Sequence, residues 1–132
     1  MINKIVRVTM VAALALTLAG TTAASARPSA KPGDVVKAGS CSRASNWKLK
    51  LSPDNGRIQV EFEVDSNHVG QTWRVRIAKN GTRIFTGLRM TKAPSGSFTV
   101  RTLTSNPAGT DLFRARATNP ATGETCTGIA SI

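Results

Sequence analysis

The chain has few aromatic residues and few residues that carry chemistry. Its 132 residues contain no tyrosine, one histidine, 2 tryptophans and 4 phenylalanines. We therefore expect a small, mostly aliphatic core, and a single histidine argues against a metal site, which needs several ligands at suitable spacing. Acidic residues are scarce too, because 7 of them stand against 18 lysines and arginines, which gives a net charge of +11. Such an imbalance favours anionic partners.

Catalytic groupings are also missing from the sequence. Asp65, Ser66 and His68 lie too close in sequence to point at one another as a nucleophile, a base and an orienting group must. Glu61 and Glu63 fall on the same side of a predicted strand, about 7 Å apart, which superficially suits a glycosidase pair. Both, however, are expected to face water. We therefore predict that the protein is not an enzyme and uses no cofactor and no metal.

The first 26 residues have the three parts of a secretory signal peptide. These parts are a basic start at Lys4 and Arg7, a 12-residue apolar run from Val8 to Ala19, and the small-x-small site Ala24-Ser25-Ala26. A bilayer crossing takes about 20 apolar residues, so a retained anchor is the less favoured alternative. Cleavage would leave 106 residues from Arg27 on, with 16 basic and 7 acidic residues and a net charge of +9.

Two cysteines, Cys41 and Cys126, lie near the two ends of the part that would remain. In an exported protein such a pair is typically a disulfide. Closing so long a loop stabilises the fold by roughly 4.5 kcal/mol in the chain-entropy model. Two free thiols, or two metal ligands, are the alternatives.

The rest of the chain divides into a leader and one domain. Residues 27–40 are rich in Pro, Ala, Gly and Lys and are predicted to be a flexible leader, with an edge strand at Val35-Val36 as the alternative. In residues 41–132, apolar and polar residues alternate between turn signals, which predicts an all-β two-sheet sandwich of seven strands with one buried tryptophan. The strands centre on Trp47, Val60, Trp73, Ile84, Phe98, Phe113 and Cys126.

The stretch Gln71 to Arg89 is predicted to form the central β-hairpin. Asn80-Gly81 fits the two positive φ angles of a type I′ turn, and a turn there pairs residues whose numbers add to 161. In that register Phe85 lies opposite Arg76 on the outer side of the hairpin, where we expect it either to stack on Arg76 or to offer an apolar spot within the arginine patch. The apolar side consists of Trp73, Val75, Ile77, Ile84 and Leu88.

Four segments resemble those of immunoglobulin-like and fibronectin-type-III-like domains. They are the Trp73 strand, the N-G hairpin, G-S-F-T-V, and the ending F-R-A-R-A-T-N-P-A-T-G-E-T-C. More narrowly, residues 41–130 are similar to small secreted actinobacterial β-sandwich proteins whose function is not established. The chain departs from antibody-type domains, since its cysteines do not bracket the central tryptophan and it has no tyrosine for a tyrosine corner. It also differs from actinobacterial sandwiches that carry enediyne chromophores, which are acidic and have two disulfides.

The resemblance implies that the strands of Trp73, Ile84, Phe113 and Cys126 share one sheet. Alternation then sends arginines, and no acidic residue of the strand interiors, to the outer face of that sheet, whereas the other sheet mixes both signs. The planar fork of arginine binds both oxygens of a phosphate or carboxylate. The candidate anion-binding residues are Arg74, Arg76, Arg83, Phe85, Arg89, Arg114 and Arg116.

We therefore expect a secreted binding module, extracellular or associated with the cell wall, that has no membrane span once the signal is removed. Its expected partner is an anionic cell-wall polymer or an acidic protein surface. Nucleic acid is not the expected partner, because the compartment argues against it and single-strand binders interleave several aromatic residues with basic ones. Two alternatives are a surface spacer without a ligand and a secreted hydrolase inhibitor that presents the loop Lys92–Gly96 or Thr104–Gly109.

Overall fold

A computed structural model describes residues 30–132, and the predicted signal peptide, residues 1–26, lies outside them. The described residues form eight β-strands. These are β1 (Val35–Ser40), β2 (Asn46–Asp54), β3 (Arg57–Asp65), β4 (Thr72–Lys79), β5 (Thr82–Met90), β6 (Ser97–Ser105), β7 (Leu112–Thr118) and β8 (Thr125–Ser131). No helix in this part of the chain has the length and apolarity needed to cross a membrane.

The strands form two antiparallel sheets of four, in the orders β1-β2-β3-β6 and β5-β4-β7-β8. We call the first the mixed-charge sheet and the second the arginine sheet, after the residues on their outer faces. The predicted division of strands between two sheets is confirmed. Their inner faces contribute to one common core, which gives a sandwich-like arrangement.

Strand alternation explains which residues form that core. On β3 every second residue is fully buried, and the same holds for Trp73, Val75 and Ile77 on β4. The indole of Trp73 packs at a tilt against Phe98 of the other sheet, with 6.3 Å between ring centroids. Burying such side chains is worth about 1.5–3 kcal/mol each, so the shared core is what holds the two sheets together.

The predicted disulfide between Cys41 and Cys126 is present. Cys41 follows β1 and Cys126 lies on β8, so the bond joins an edge of each sheet along one side of the domain. The Trp47 ring lies close to Gly39 and Gly128, each of which is two residues from one of the cysteines. A Cβ atom at Gly39 would lie 2.9 Å from the Trp47 ring, and one at Gly128 would lie 2.7 Å from it. Glycine at these two positions therefore gives the indole its room.

The structure has eight strands rather than the predicted seven. The additional strand, β1, lies in the stretch predicted to be a flexible leader, and it pairs with β2 from Val35 to Ser40. An edge strand has one neighbour only, and Val35 is its one large apolar residue that packs against the core. The structure thus has the edge strand at Val35-Val36 that was the alternative to a flexible leader, and its small apolar content explains why the period-two signal there is weak.

The hairpin has the predicted turn but not the predicted register. Asn80 and Gly81 have positive φ angles of 48° and 81°, and the pairs next to the turn are the expected ones. A β-bulge follows, because Ile77 pairs with Phe85 and Ile84 has no partner in β4. Since side chains alternate, one extra residue moves every later β5 side chain to the opposite side of the sheet.

Candidate anion-binding face

Five arginines project from the outer face of the arginine sheet, and all five are exposed. Arg74 and Arg76 come from β4, Arg114 and Arg116 from β7, and Arg83 from β5. We call this surface the arginine face. Two neighbouring surface depressions lie on it and share Arg76 and Arg116 in their walls.

The strand register brings like charges directly together on this face. Arg76 is the cross-strand partner of Arg116. Ala78 pairs with Arg83 on one side and with Arg114 on the other, so these two arginines flank it in the next row. Cβ atoms of directly opposed residues lie about 5 Å apart, and like charges in that position destabilise a sheet.

No carboxylate offsets this charge. All 7 acidic residues of the chain fall within the described residues, and none forms an ion pair with any of the five arginines. The outward positions of the sheet hold neither an acidic residue nor a lysine. They are Thr72, Arg74, Arg76, Ala78, Arg83, Thr86, Leu88, Met90, Leu112, Arg114, Arg116, Thr118, Thr125, Thr127, Ile129 and Ser131.

The outer face of the mixed-charge sheet is organised in the opposite way. Lys48 is opposite Glu63, and Glu61 lies between Lys50 and Arg101. Arg101 Nε donates to Glu61 Oε1 at 2.7 Å, and Lys48 Nζ lies 3.9 Å from Glu63 Oε2. The prediction that both glutamates face outward beside lysines is confirmed. Each cation in these rows therefore has a carboxylate beside it.

Asp34 adds a further carboxylate to the mixed-charge sheet. Its Oδ2 accepts a hydrogen bond from the backbone N–H of Lys31 at 2.7 Å and lies 3.3 Å from Lys50 Nζ. Burial on its own would raise the pKa of the Asp34 carboxyl, but the Lys31 N–H, the Ser52 hydroxyl and the Lys50 ammonium outweigh it and lower that pKa below its usual value. The carboxylate thus stays charged and ties the start of β1 to β2.

Two of the predicted site residues do not belong to the arginine face. Phe85 is partly buried against the core, and Arg89 lies opposite the buried Trp73. The Arg89 guanidinium stacks over the Phe85 ring at 5.0 Å from its centroid. The predicted stacking of Phe85 on Arg76 is therefore wrong, because the bulge turns Phe85 inward. Gly87 leaves room for the observed stack, since a Cβ there would lie 3.1 Å from the Phe85 ring.

A buried ion pair lies at the turn end of the β4–β5 hairpin, and it was not predicted. The Nζ of Lys79 lies 3.5 Å from Asp111 Oδ2 and also donates to the backbone oxygen of Ser105. Asn80 Nδ2 donates to Asp111 Oδ1 at 2.8 Å, which connects the turn to the segment before β7. Side-chain alternation could have indicated that Lys79 is buried, because it falls on the same side of β4 as Trp73 and Ile77.

In the loop with Asp65, Ser66 and His68, the side-chain hydrogen bonds of Ser66 hold the loop in place. The Ser66 hydroxyl shares its single hydrogen between the backbone oxygens of Gly96 at 3.1 Å and His68 at 3.2 Å, which connects the loop to the residue before β6. The side chain of His68 is exposed. Across residues 30–132 there is no group of three or more His, Cys, Asp or Glu side chains placed to hold a metal ion.

Comparison with known proteins adds no relative to this description. No protein-family model matches the chain. No match is found among curated proteins or among solved structures either.

Proposed function

We propose that the chain is a secreted, non-enzymatic sandwich of the immunoglobulin-like kind that binds anionic partners of the cell envelope through the arginine face. The disulfide in a small all-β domain is compatible with an extracellular location. Arg74, Arg76, Arg114 and Arg116 form the centre of the proposed site and Arg83 its margin. Phe85 and Arg89 are no longer part of it.

The observation that supports this proposal is the direct pairing of Arg76 with Arg116 on a face without carboxylates. Folding alone gains from opposite charges at such positions, and the other sheet has them. A bound anion turns the same repulsion into attraction, because each guanidinium then faces a phosphate or carboxylate in a two-pronged hydrogen bond. The arrangement therefore suits a ligand that supplies several negative charges within a few ångströms of one another.

A sulfated-polysaccharide column tests the proposal. We expect the wild-type protein to be retained and to elute at lower salt when Arg74, Arg76, Arg114 and Arg116 are all changed to glutamate. The matched control changes four exposed basic residues away from the face, Lys37, Arg43, Arg57 and Lys92, to glutamate, which alters the net charge by the same amount. Its retention should exceed that of the face variant by a wide margin.

The outcome that contradicts the proposal is equal loss in the two variants. Retention would then follow net charge alone, and the domain would be a spacer whose basic residues serve solubility. Circular dichroism of both variants establishes that the strands are intact, so that a loss of retention can be assigned to the surface.

A further inference from the structure

We propose that the partner of the arginine face is the surface of an anionic phospholipid bilayer. This inference rests on the proposed function for its charged part and adds a second observation, which is apolar. Four large apolar side chains on the same face are about half exposed: Leu88 at 58%, Met90 at 54%, Leu112 at 48% and Ile129 at 45%. They form two pairs of neighbours rather than one patch, and exposed apolar side chains that group together on a small domain mark a contact surface.

The register gives these four residues a definite layout. Leu88 is opposite Arg74 and Met90 is opposite Thr72, so both lie at one corner of the sheet. Ile129 is opposite Arg114, and Leu112 follows in the next row, at the diagonally opposite corner. With about 3.4 Å per residue along a strand, the two corners lie roughly 25 Å apart with the arginines between them.

This layout fits a bilayer better than it fits a soluble polyanion. A polymer of phosphate or sulfate groups offers nothing to leucine, methionine or isoleucine. At a lipid surface the guanidinium groups meet the phosphates, while aliphatic side chains at the two corners reach between the headgroups toward the acyl boundary. Arginine without lysine also suits this plane, because its fork binds two oxygens of one phosphate.

The layout also differs from that of a protein interface. Residues that dominate protein–protein binding cluster near the centre of the contact in desolvated pockets, with polar groups around them. Here the centre is charged and the apolar residues are at the margin. The other outer face has paired charges, so electrostatic attraction would orient the domain with the arginine face toward the lipid.

Vesicle sedimentation of the full chain tests the inference. The probes are vesicles of equal parts phosphatidylglycerol and phosphatidylcholine and vesicles of phosphatidylcholine alone. We expect binding to the first kind that exceeds binding to the second and weakens with salt. Removing a single arginine from the face should weaken binding about fivefold, because a basic residue near an anionic surface contributes about 1 kcal/mol. Residues 1–29 are common to all variants, so differences between variants report on the described domain.

The decisive variant carries Leu88→Thr and Ile129→Thr. These substitutions leave every charge in place, and threonine is already common on the face. We expect its vesicle binding to fall about tenfold, since each side chain loses part of its burial energy, while its retention on the sulfated column stays unchanged. The control carries Val36→Thr and Leu103→Thr, which are exposed at 43% and 49% on the mixed-charge sheet. Its vesicle binding should match the wild type.

Each other outcome overturns the inference. Column retention without a preference for anionic vesicles agrees with the proposed function but excludes an anionic bilayer as the partner. Unchanged vesicle binding in the Leu88/Ile129 variant would mean that binding depends on charge alone, which also overturns the inference of a lipid partner. Arginine-dependent binding to polyglutamate without vesicle binding points to an acidic protein instead. Failure on both column and vesicles removes the proposed function together with the inference.

Discussion

The outer faces of the two sheets have the same geometry and opposite electrostatic designs. On the mixed-charge sheet the register places Glu61 between Lys50 and Arg101; Arg101 forms an ion pair with Glu61, and Lys50 forms one with Asp34. On the arginine sheet the same kind of register places Arg76 against Arg116. Both faces belong to antiparallel strands over one core, so the difference does not arise from the fold. It teaches that the first face balances its charges within the fold, whereas the second leaves its arginines without a carboxylate, which is the feature on which the proposed anion binding rests.

The largest expected effect separates the buried ion pair of the arginine sheet from the exposed one of the other sheet. The side chains of Lys79 and Asp111 are only 10% and 4% exposed. Asp111→Ala would leave a buried ammonium without its carboxylate, which we expect to lower the free energy of unfolding by about 3–5 kcal/mol. Glu61→Ala removes the partly exposed partner of the exposed Arg101 and should cost below about 1 kcal/mol.

Urea unfolding followed by tryptophan fluorescence measures both costs. A control with Asp111→Asn keeps the acceptor oxygen for Asn80 and removes only the charge, so it should fall between the wild type and Asp111→Ala. Equal costs for the Asp111→Ala and Glu61→Ala variants would show that the Lys79 pair behaves as a surface pair.

A smaller effect follows from placing a carboxylate on each face in turn. Thr86 is opposite Arg76 and Thr99 is opposite Glu63, and both are exposed on edge strands. Thr86→Glu should stabilise the protein by about 0.2–1 kcal/mol, and Thr99→Glu should destabilise it by a similar amount.

The two variants have the same net charge, so any difference in their unfolding free energies comes from position. Added salt should bring the two values together, because it screens exposed charges. The screening length is about 8 Å at physiological ionic strength and becomes shorter at higher concentration. The comparison between the faces fails if both substitutions shift stability in the same direction.

The last prediction concerns pH and the mixed-charge sheet. Because folding lowers the pKa of the Asp34 carboxyl, its contribution to stability is present above the unfolded value of about 3.9 and is lost as the pH falls through the folded value. Asp34→Asn should therefore be less stable than the wild type at neutral pH, and the two should converge in acid. Denaturant unfolding at a series of pH values measures this. A constant difference down to strongly acidic pH would contradict it.

Much of this arrangement follows from side-chain alternation. Strict alternation in β4 and β7 predicts the outward direction of Arg74, Arg76, Arg114 and Arg116, and the cysteine pair predicts the disulfide. The register beyond the turn could not be predicted, because no residue type marks the bulge at Ile84. That bulge sends Phe85 inward and Leu88 outward, the reverse of the prediction. The apolar corner at Leu88 and Met90 is thus a product of tertiary packing that overrides the register set by the turn.

The absence of lysine from the outward positions of the arginine sheet has a practical consequence. The lysines of the described domain lie elsewhere, at Lys31, Lys37, Lys48, Lys50, Lys79 and Lys92. Reagents that acylate amines will therefore modify other parts of this domain and leave the guanidinium groups untouched. Protein coupled to a biosensor surface through these amines will present the arginine face to the solution, and a fluorescent label attached in the same way will not obstruct it.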